Sequence, residues 1–299
     1  IMMQRKDKFI FIFLMLSTVG VIIYFGHGKN TMGLRDPYDR ATAGPGRKKI
    51  IIFTSRGGGG HLSISNAMYD YLKDEYTIGR SFVFSDILGG LDPLHAFSDK
   101  QYGGEDWYNY LIKQKWNRLI KATYDFGAWY YYIRQEKSEQ LIEEYLRKAN
   151  PDLLISVIPL INNILMKIAK KLNIPFLLVP PDLDATTSMN DIHPPIYERF
   201  YLAMSFDDPL INATIEPAQI PPSQIYYVGF PVRTDFFKHH NKQALKKEFG
   251  IPADRPVILL LMGGQGSHEL YTFSQQLVKL TIPAHIIIAI GKSEHLRRS

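Results

Sequence analysis

From residue 48 onward, short apolar runs alternate with stretches whose apolar residues recur every three or four positions. KIIIFTS (49–55) reads as a buried strand, and Ile64, Ala67, Met68, Tyr71 and Leu72 then follow at helical spacing. RSFVFSD (80–86) reads as a second strand. SEQLIEEYLRKAN (138–150) and NNILMKIAKKLN (162–173) read as helices, each followed by a strand, at 174–182 for the latter and 151–159 for the former. RFYLAMS (199–205) and QIYYVGFP (224–231) supply two more strands. Strands alternating with helices predict an α/β fold with a parallel sheet and helices on both faces. The pattern then restarts: a helix near 241–250, a strand at 255–262 running into glycines and a helix, and a strand at 284–292. The chain thus opens a Rossmann-like unit twice, and the second has two strands where a doubly wound domain needs several more.

Residues 9–25, FIFIFLMLSTVGVIIYF, carry no charge and follow Arg5, Lys6 and Lys8. As a helix they span roughly 25 Å, the short end of a membrane crossing. A membrane anchor is the expectation; a cleaved signal is the alternative, although YFGHGKN makes a poor cleavage site. Lys/Arg are balanced on the two sides, with Arg47, Lys48 and Lys49 tilting the C-terminal side towards the cytoplasm. Residues 26–46 are Gly-, Pro- and polar-rich and read as a linker. The expected organisation is anchor and linker (1–46), a first Rossmann-like domain (47–238) and the start of a second, incomplete one (239–299).

Composition narrows the chemistry. The 299 residues contain no cysteine, which excludes disulfides, thiolate nucleophiles and cysteine-ligated zinc. The net charge of +6 suits anionic partners without choosing among phosphate, anionic lipid and nucleic acid.

Two glycine clusters sit between a strand and a helix: residues 57–60 and Gly263, Gly264 and Gly266. Such a junction offers free N–H groups and a helix dipole to an anion; a plain tight turn is the other reading. No Gly-x4-Gly-Lys-Ser/Thr occurs, which removes the P-loop. The dinucleotide fingerprint fits poorly, because Ser63 stands where a third glycine or alanine belongs. Asp86, at the expected end of the second strand, keeps a dehydrogenase as a minor alternative. His61 opens the helix after the first cluster. The positive helix end disfavours imidazolium, so the ring is expected neutral and able to accept a proton, or else to serve as a polar cap.

These residues resemble a family. TSRGGGGHLSISNAM, PDLLISVIPLINN, LNIPFLLVPPDLD, HPPIYERFYLA, YYVGFPVRTDF and LLLMGGQGSHEL are similar, in order and at fitting spacing over residues 48–298, to monogalactosyldiacylglycerol synthases and the related bacterial processive diacylglycerol glucosyltransferases. The resemblance implies a GT-B fold, two Rossmann-like domains facing across a cleft. It implies inverting transfer of a hexose from a UDP-sugar to a lipid such as diacylglycerol, with no metal and no cofactor beyond the donor itself. On this reading His61 is the base, with Asp182 a second base or a residue that orients it. Gly263, Gly264, Gln265, Gly266 and Ser267 hold the donor diphosphate, and Gly58, Gly59 and Gly60 floor the acceptor side. Gln265 departs from the family's usual glycine, and Pro180 and Pro181 from its small polar residues.

The stretch 102–135 holds all three tryptophans, Trp107, Trp116 and Trp129, interleaved with tyrosines and with Lys113, Lys115, Arg118, Lys121 and Arg134. It reads as an acceptor-side membrane surface, anionic lipid included, or as an aromatic core helix pair; nothing else supports nucleic acid. Asp182-Leu183-Asp184 also mimics a metal-binding Asp-x-Asp. The alternatives in function are another GT-B enzyme, such as a lipid-intermediate N-acetylglucosaminyltransferase or a sugar-nucleotide epimerase, and an inactive membrane-tethered binding protein. The expected location is a membrane-anchored, cytoplasm-facing catalytic domain.

Overall fold

The computed structural model describes residues 37–98, 102–114, 116–262, 268–279 and 283–291. The apolar segment 9–25 and the donor-loop residues Gly263, Gly264, Gln265, Gly266 and Ser267 lie outside them. Two compact units are present: one runs to Arg233 without Leu111–Trp116, and the other holds Leu111–Trp116 and the chain from Thr234 onward.

Up to Tyr227 the elements follow as β1 (Lys49–Thr54), α1 (Gly60–Leu72), β2 (Thr77–Phe82), α2 (Gly104–Gln114, whose residues from Leu111 on fall in the second unit), α3 (Asn117–Ile133), α4 (Gln135–Ala149), β3 (Leu153–Ser156), α5 (Asn162–Leu172), β4 (Phe176–Leu178), β5 (Phe200–Met204) and β6 (Ile225–Tyr227). The strands form one sheet in the order β2-β1-β3-β4-β5-β6, with every pair parallel. The step from β1 to β2 runs one way across the sheet and all later steps run the other. Right-handed crossovers therefore put α1 on one face and α4 and α5 on the opposite face. Strand β1 shows the result. Ile51 and Phe53 join Ile142 and Leu146 of α4 and Leu165 of α5 in one core, whereas Ile50 and Ile52 join Ile64 of α1 in the other. Helices α4 and α5 each stop at an asparagine in the left-handed region, Asn150 (φ 47°) and Asn173 (φ 55°), whose N–H returns to the last turn.

Strand β2 differs from the sequence expectation. It pairs with β1 from Lys49↔Thr77 to Thr54↔Phe82 and ends there, because β1 itself ends at the glycine loop and leaves no partner. Val83–Ile87 then coil into a π-helical turn. The missed beginning, Thr77–Gly79, contains a glycine, which reads as a strand breaker. Here the glycine has a packing reason: a Cβ on Gly79 would come within 2.5 Å of Ile51 Cδ1 and 2.7 Å of the Pro37 carbonyl. Residues 38–42, from the stretch expected as a linker, lie on this edge. Tyr38 bridges to Gly79, the Tyr38 hydroxyl donates to the Ala149 carbonyl at 2.9 Å, and Thr42 is buried with its Oγ1 accepting from Ile78 N–H.

The second unit contains α6 (Lys242–Glu248), β7 (Val257–Leu261), α7 (His268–Val278) and β8 (His285–Ala289), with β7 and β8 paired in parallel. Asn241 caps α6 through its side chain. Among the described residues no helix is long and apolar enough to cross a membrane.

Candidate active site

The site gathers at the C-terminal ends of β1, β3 and β4, where open α/β sheets place their ligands. His61 lies in the first turn of α1 and is half-buried. Its Nδ1 is 2.6 Å from the Val157 carbonyl, just past β3. A carbonyl only accepts, so Nδ1 carries the hydrogen and Nε2 keeps its lone pair. Burial pushes the imidazole pKa below its ordinary value of 6.5, opposed by the Val157 bond and by the charges of Asp182 and Glu105. The neutral ring expected from the helix end is thus obtained chiefly by burial.

Asp182 follows β4 and is exposed, and among the described residues no hydrogen bond engages its carboxylate. Its neighbour Asp184 is different: the Thr186 hydroxyl, and then Thr186 N–H donating to Oδ1 at 2.9 Å, hold its carboxyl below the usual range. Asp184 is thereby the aspartate of the turn, and Asp182 is free to face the site. Among the described residues no group of three His, Asp or Glu is arranged to hold a metal.

The glycine loop shows what each glycine does. Gly57 is tight, since a Cβ would sit 3.2 Å from Ser55 Oγ and 3.5 Å from the Tyr108 ring. Gly58 has φ +76°, a conformation that favours glycine. Beside Gly59 a Cβ would meet nothing within 4 Å, and beside Gly60 only Pro181 at 3.9 Å, so this end of the loop borders open space. The first part of the loop is engaged by the protein itself. Arg56 N–H donates to Glu105 Oε1 (2.6 Å), Gly57 N–H to Ser55 Oγ (2.9 Å) and Gly58 N–H to Asn109 Oδ1 (2.8 Å). Arg56 itself lies over the Phe82 ring at 4.4 Å.

Glu105, Tyr108 and Asn109, one face of α2, were not singled out by the sequence. Their spacing of three and four residues shows a shared face, but nothing local says that the face meets a loop fifty residues earlier. Tyr108 is held above its usual range by burial and then by the Asp182 charge. Asp86 proves not to be a strand-end acid: its Oδ2 accepts from Phe82 N–H at 2.8 Å and closes the turn after β2.

The aromatic stretch divides. Tyr124 donates to the Thr187 carbonyl at 2.9 Å and burial raises its phenol to about 12; Tyr130 donates to the Leu91 carbonyl, and Tyr131 packs on Phe84. Tyr130 is buried, Tyr131 is partly buried against the core, and Tyr124 is partly buried. Trp107 stacks on Tyr110, and Trp129 packs on Phe126, while Tyr110, Trp116, Trp129 and Tyr132 are exposed, as are Lys113 and Arg118. The structure brings His61, Asp182 and the glycine loop together; none of the tryptophans is in contact with His61 among the described interactions.

No family model matches the chain. Its curated relatives are monogalactosyldiacylglycerol synthases and a processive diacylglycerol glucosyltransferase. It is 24% identical over 257 residues, 82% of this chain, to monogalactosyldiacylglycerol synthase 1 of Arabidopsis thaliana, of which that match covers 46%. It is 27% identical over 78% of its length to the probable synthase 2 of Oryza sativa subsp. indica, covering 49% of it. It is 23% identical over 84% of its length to the processive diacylglycerol beta-glucosyltransferase of Staphylococcus haemolyticus, covering 62% of it. The chain spans about half the length of the curated plant relatives it matches.

Proposed function

We propose that this chain carries the acceptor-side half of a glycolipid glycosyltransferase of GT-B architecture, which moves a hexose from a UDP-sugar to the hydroxyl of diacylglycerol or a related lipid, with inversion. The observation that carries the reading is the His61 Nδ1 bond to the Val157 carbonyl. It leaves an unprotonated Nε2 on a ring that burial keeps neutral, bordered by the open end of the glycine loop and by Asp182. Such a nitrogen takes the proton of an attacking hydroxyl. The acceptor oxygen forms its bond to the anomeric carbon as the bond to the leaving phosphate breaks on the opposite face. Asp182 stabilises the imidazolium formed. Gly263, Gly264, Gln265, Gly266 and Ser267, between β7 and α7, are assigned to the departing diphosphate, with backbone N–H groups meeting its growing charge. The first loop is assigned to acceptor and reacting centre, in keeping with the open space beside Gly59 and Gly60.

The exposed aromatic and basic residues of 102–135 are assigned to the lipid surface, with residues 9–25 as anchor and the catalytic part facing the cytoplasm. The test uses the full-length protein in vesicles containing diacylglycerol, supplied with radiolabelled UDP-galactose or UDP-glucose. Labelled glycolipid is expected from one donor, with His61→Ala lowering the rate by ~10²- to 10⁴-fold. No lipid product from either donor, or full activity in His61→Ala, rejects the assignment.

A further inference from the structure

The turn that delivers His61 is held from outside its own segment. Glu105 Oε1 accepts from the Ser55 hydroxyl and from Arg56 N–H, both at 2.6 Å. Ser55 Oγ passes the interaction on by accepting from Gly57 N–H at 2.9 Å. One helical turn later, Asn109 Oδ1 accepts from Gly58 N–H at 2.8 Å while its Nδ2 donates to the Arg56 carbonyl at 2.8 Å. The backbone of 56–58 is thus engaged by two side chains of one helix face. That helix start is itself fixed, since Gly104 N–H donates to Asp92 Oδ2 at 2.6 Å and Gly103 N–H to Asp106 Oδ2 at 2.8 Å. A strand–glycine–helix junction ordinarily offers such N–H groups to a ligand anion. Here a carboxylate belonging to the protein stands at the junction.

We propose that Glu105, assisted by Asn109, is a positioning residue for His61: the two side chains hold residues 55–58 and fix the turn in the shape that lets His61 Nδ1 reach the Val157 carbonyl. The proposal rests on the assignment of His61 as the base for its catalytic meaning, but its structural content is independent of any transfer reaction. The groups that act on the imidazole are the Val157 carbonyl after β3, Asp182 from the segment after β4 and Glu105 from α2. Glutamine at 105 keeps an oxygen that can accept both bonds and loses the charge; alanine loses both.

The experiment is nitrogen NMR of the full chain with ¹⁵N-labelled histidine, His61 being assigned by His61→Gln. The wild type is expected to show a single Nδ1–H tautomer. Glu105→Ala, and independently Asn109→Ala, are expected to give a mixture of tautomers with unchanged far-ultraviolet circular dichroism, and Glu105→Gln to restore the single form. In Glu105→Gln the His61 titration moves to lower pH, because a negative charge that favours imidazolium is gone. In the transfer assay Glu105→Ala lowers kcat by ~10- to 100-fold with KM unchanged, and Glu105→Gln recovers most of it. A wild-type tautomer in both alanine variants overturns the proposal. If the tautomer results hold while the wild type transfers no sugar, the positioning role stands and the glycosyltransferase reading falls.

Discussion

Strands β1 and β7 are written in nearly the same letters and live in different surroundings. Both are short apolar runs that lead to glycines and then to a helix. Strand β1 is flanked by β2 and β3 and covered on both faces, so that Ile51, Ile52 and Phe53 have no exposed surface. Strand β7 pairs with β8, and its outward positions Val257, Leu259 and Leu261 are 38%, 59% and 63% exposed among the described residues. An apolar run states that its residues gain by burial; it does not state what buries them. The value of a leucine in a strand is a property of its neighbours.

Four measurements press on that contrast, in order of falling effect. Ile52→Ala opens a cavity in a closed core and is expected to cost about 2–5 kcal/mol, read as a lowered urea midpoint at unchanged slope; a loss below about 1 kcal/mol would mean that β1 is no better enclosed than β7. Next, Gly58→Ala puts a side chain on a residue at φ +76° and is expected to cost about 1–2 kcal/mol. Gly59→Ala, at φ −107° with open space around it, is expected to leave the midpoint in place while slowing transfer. Equal midpoints for the two alanine variants would remove the distinction between the left-handed backbone at Gly58 and the ordinary backbone at Gly59.

The third measurement is in pH. The folded-state pKa of His61 lies below its ordinary value of 6.5, so the folded chain binds fewer protons than the unfolded one as pH falls through that range. Its contribution is fully present above 6.5 and is lost as pH falls through the folded value. Between about pH 7.5 and 5.5 the urea midpoint should fall more steeply in the wild type than in His61→Gln, and parallel slopes would show that the ring is not desolvated. The smallest effect belongs to β7. Leu259→Ala in this chain is expected to change stability by no more than about 0.5 kcal/mol, checked by the same urea titration.

Much of the sheet could be read from alternation because its strands are buried on both faces and bounded by Pro, Gly, Asn and Asp. Where reading failed, a residue was answering to something distant. Gly79 looks like a breaker and is in fact the place where Pro37 passes close to β2. Asp86 looks like a ribose ligand and instead closes a turn, because the ladder stops at Phe82. His61 could be picked out by its place after the glycines, but its tautomer could not, since the carbonyl that sets it lies ninety-six residues later. Glu105 and Asn109 carried no local signal beyond a shared helix face. In the aromatic stretch composition left a surface and a core helix pair open, and the stretch divides: Tyr130 is buried, Tyr124 and Tyr131 are partly buried, and Tyr110, Trp116, Trp129 and Tyr132 are exposed; composition does not say which side of a helix each residue takes.

The bridge from Tyr38 to Gly79 sets a length. It nails the chain to the sheet edge at residue 38, and only about a dozen residues separate that point from the apolar segment ending at Phe25. Fully stretched they reach about 40 Å, less than the long dimension of an ordinary enzyme. If residues 9–25 are held in a bilayer, the sheet edge at residue 38 travels on a short leash: it can turn over the membrane surface, but it cannot leave it, and under the proposed function every encounter with a lipid acceptor becomes a search in two dimensions.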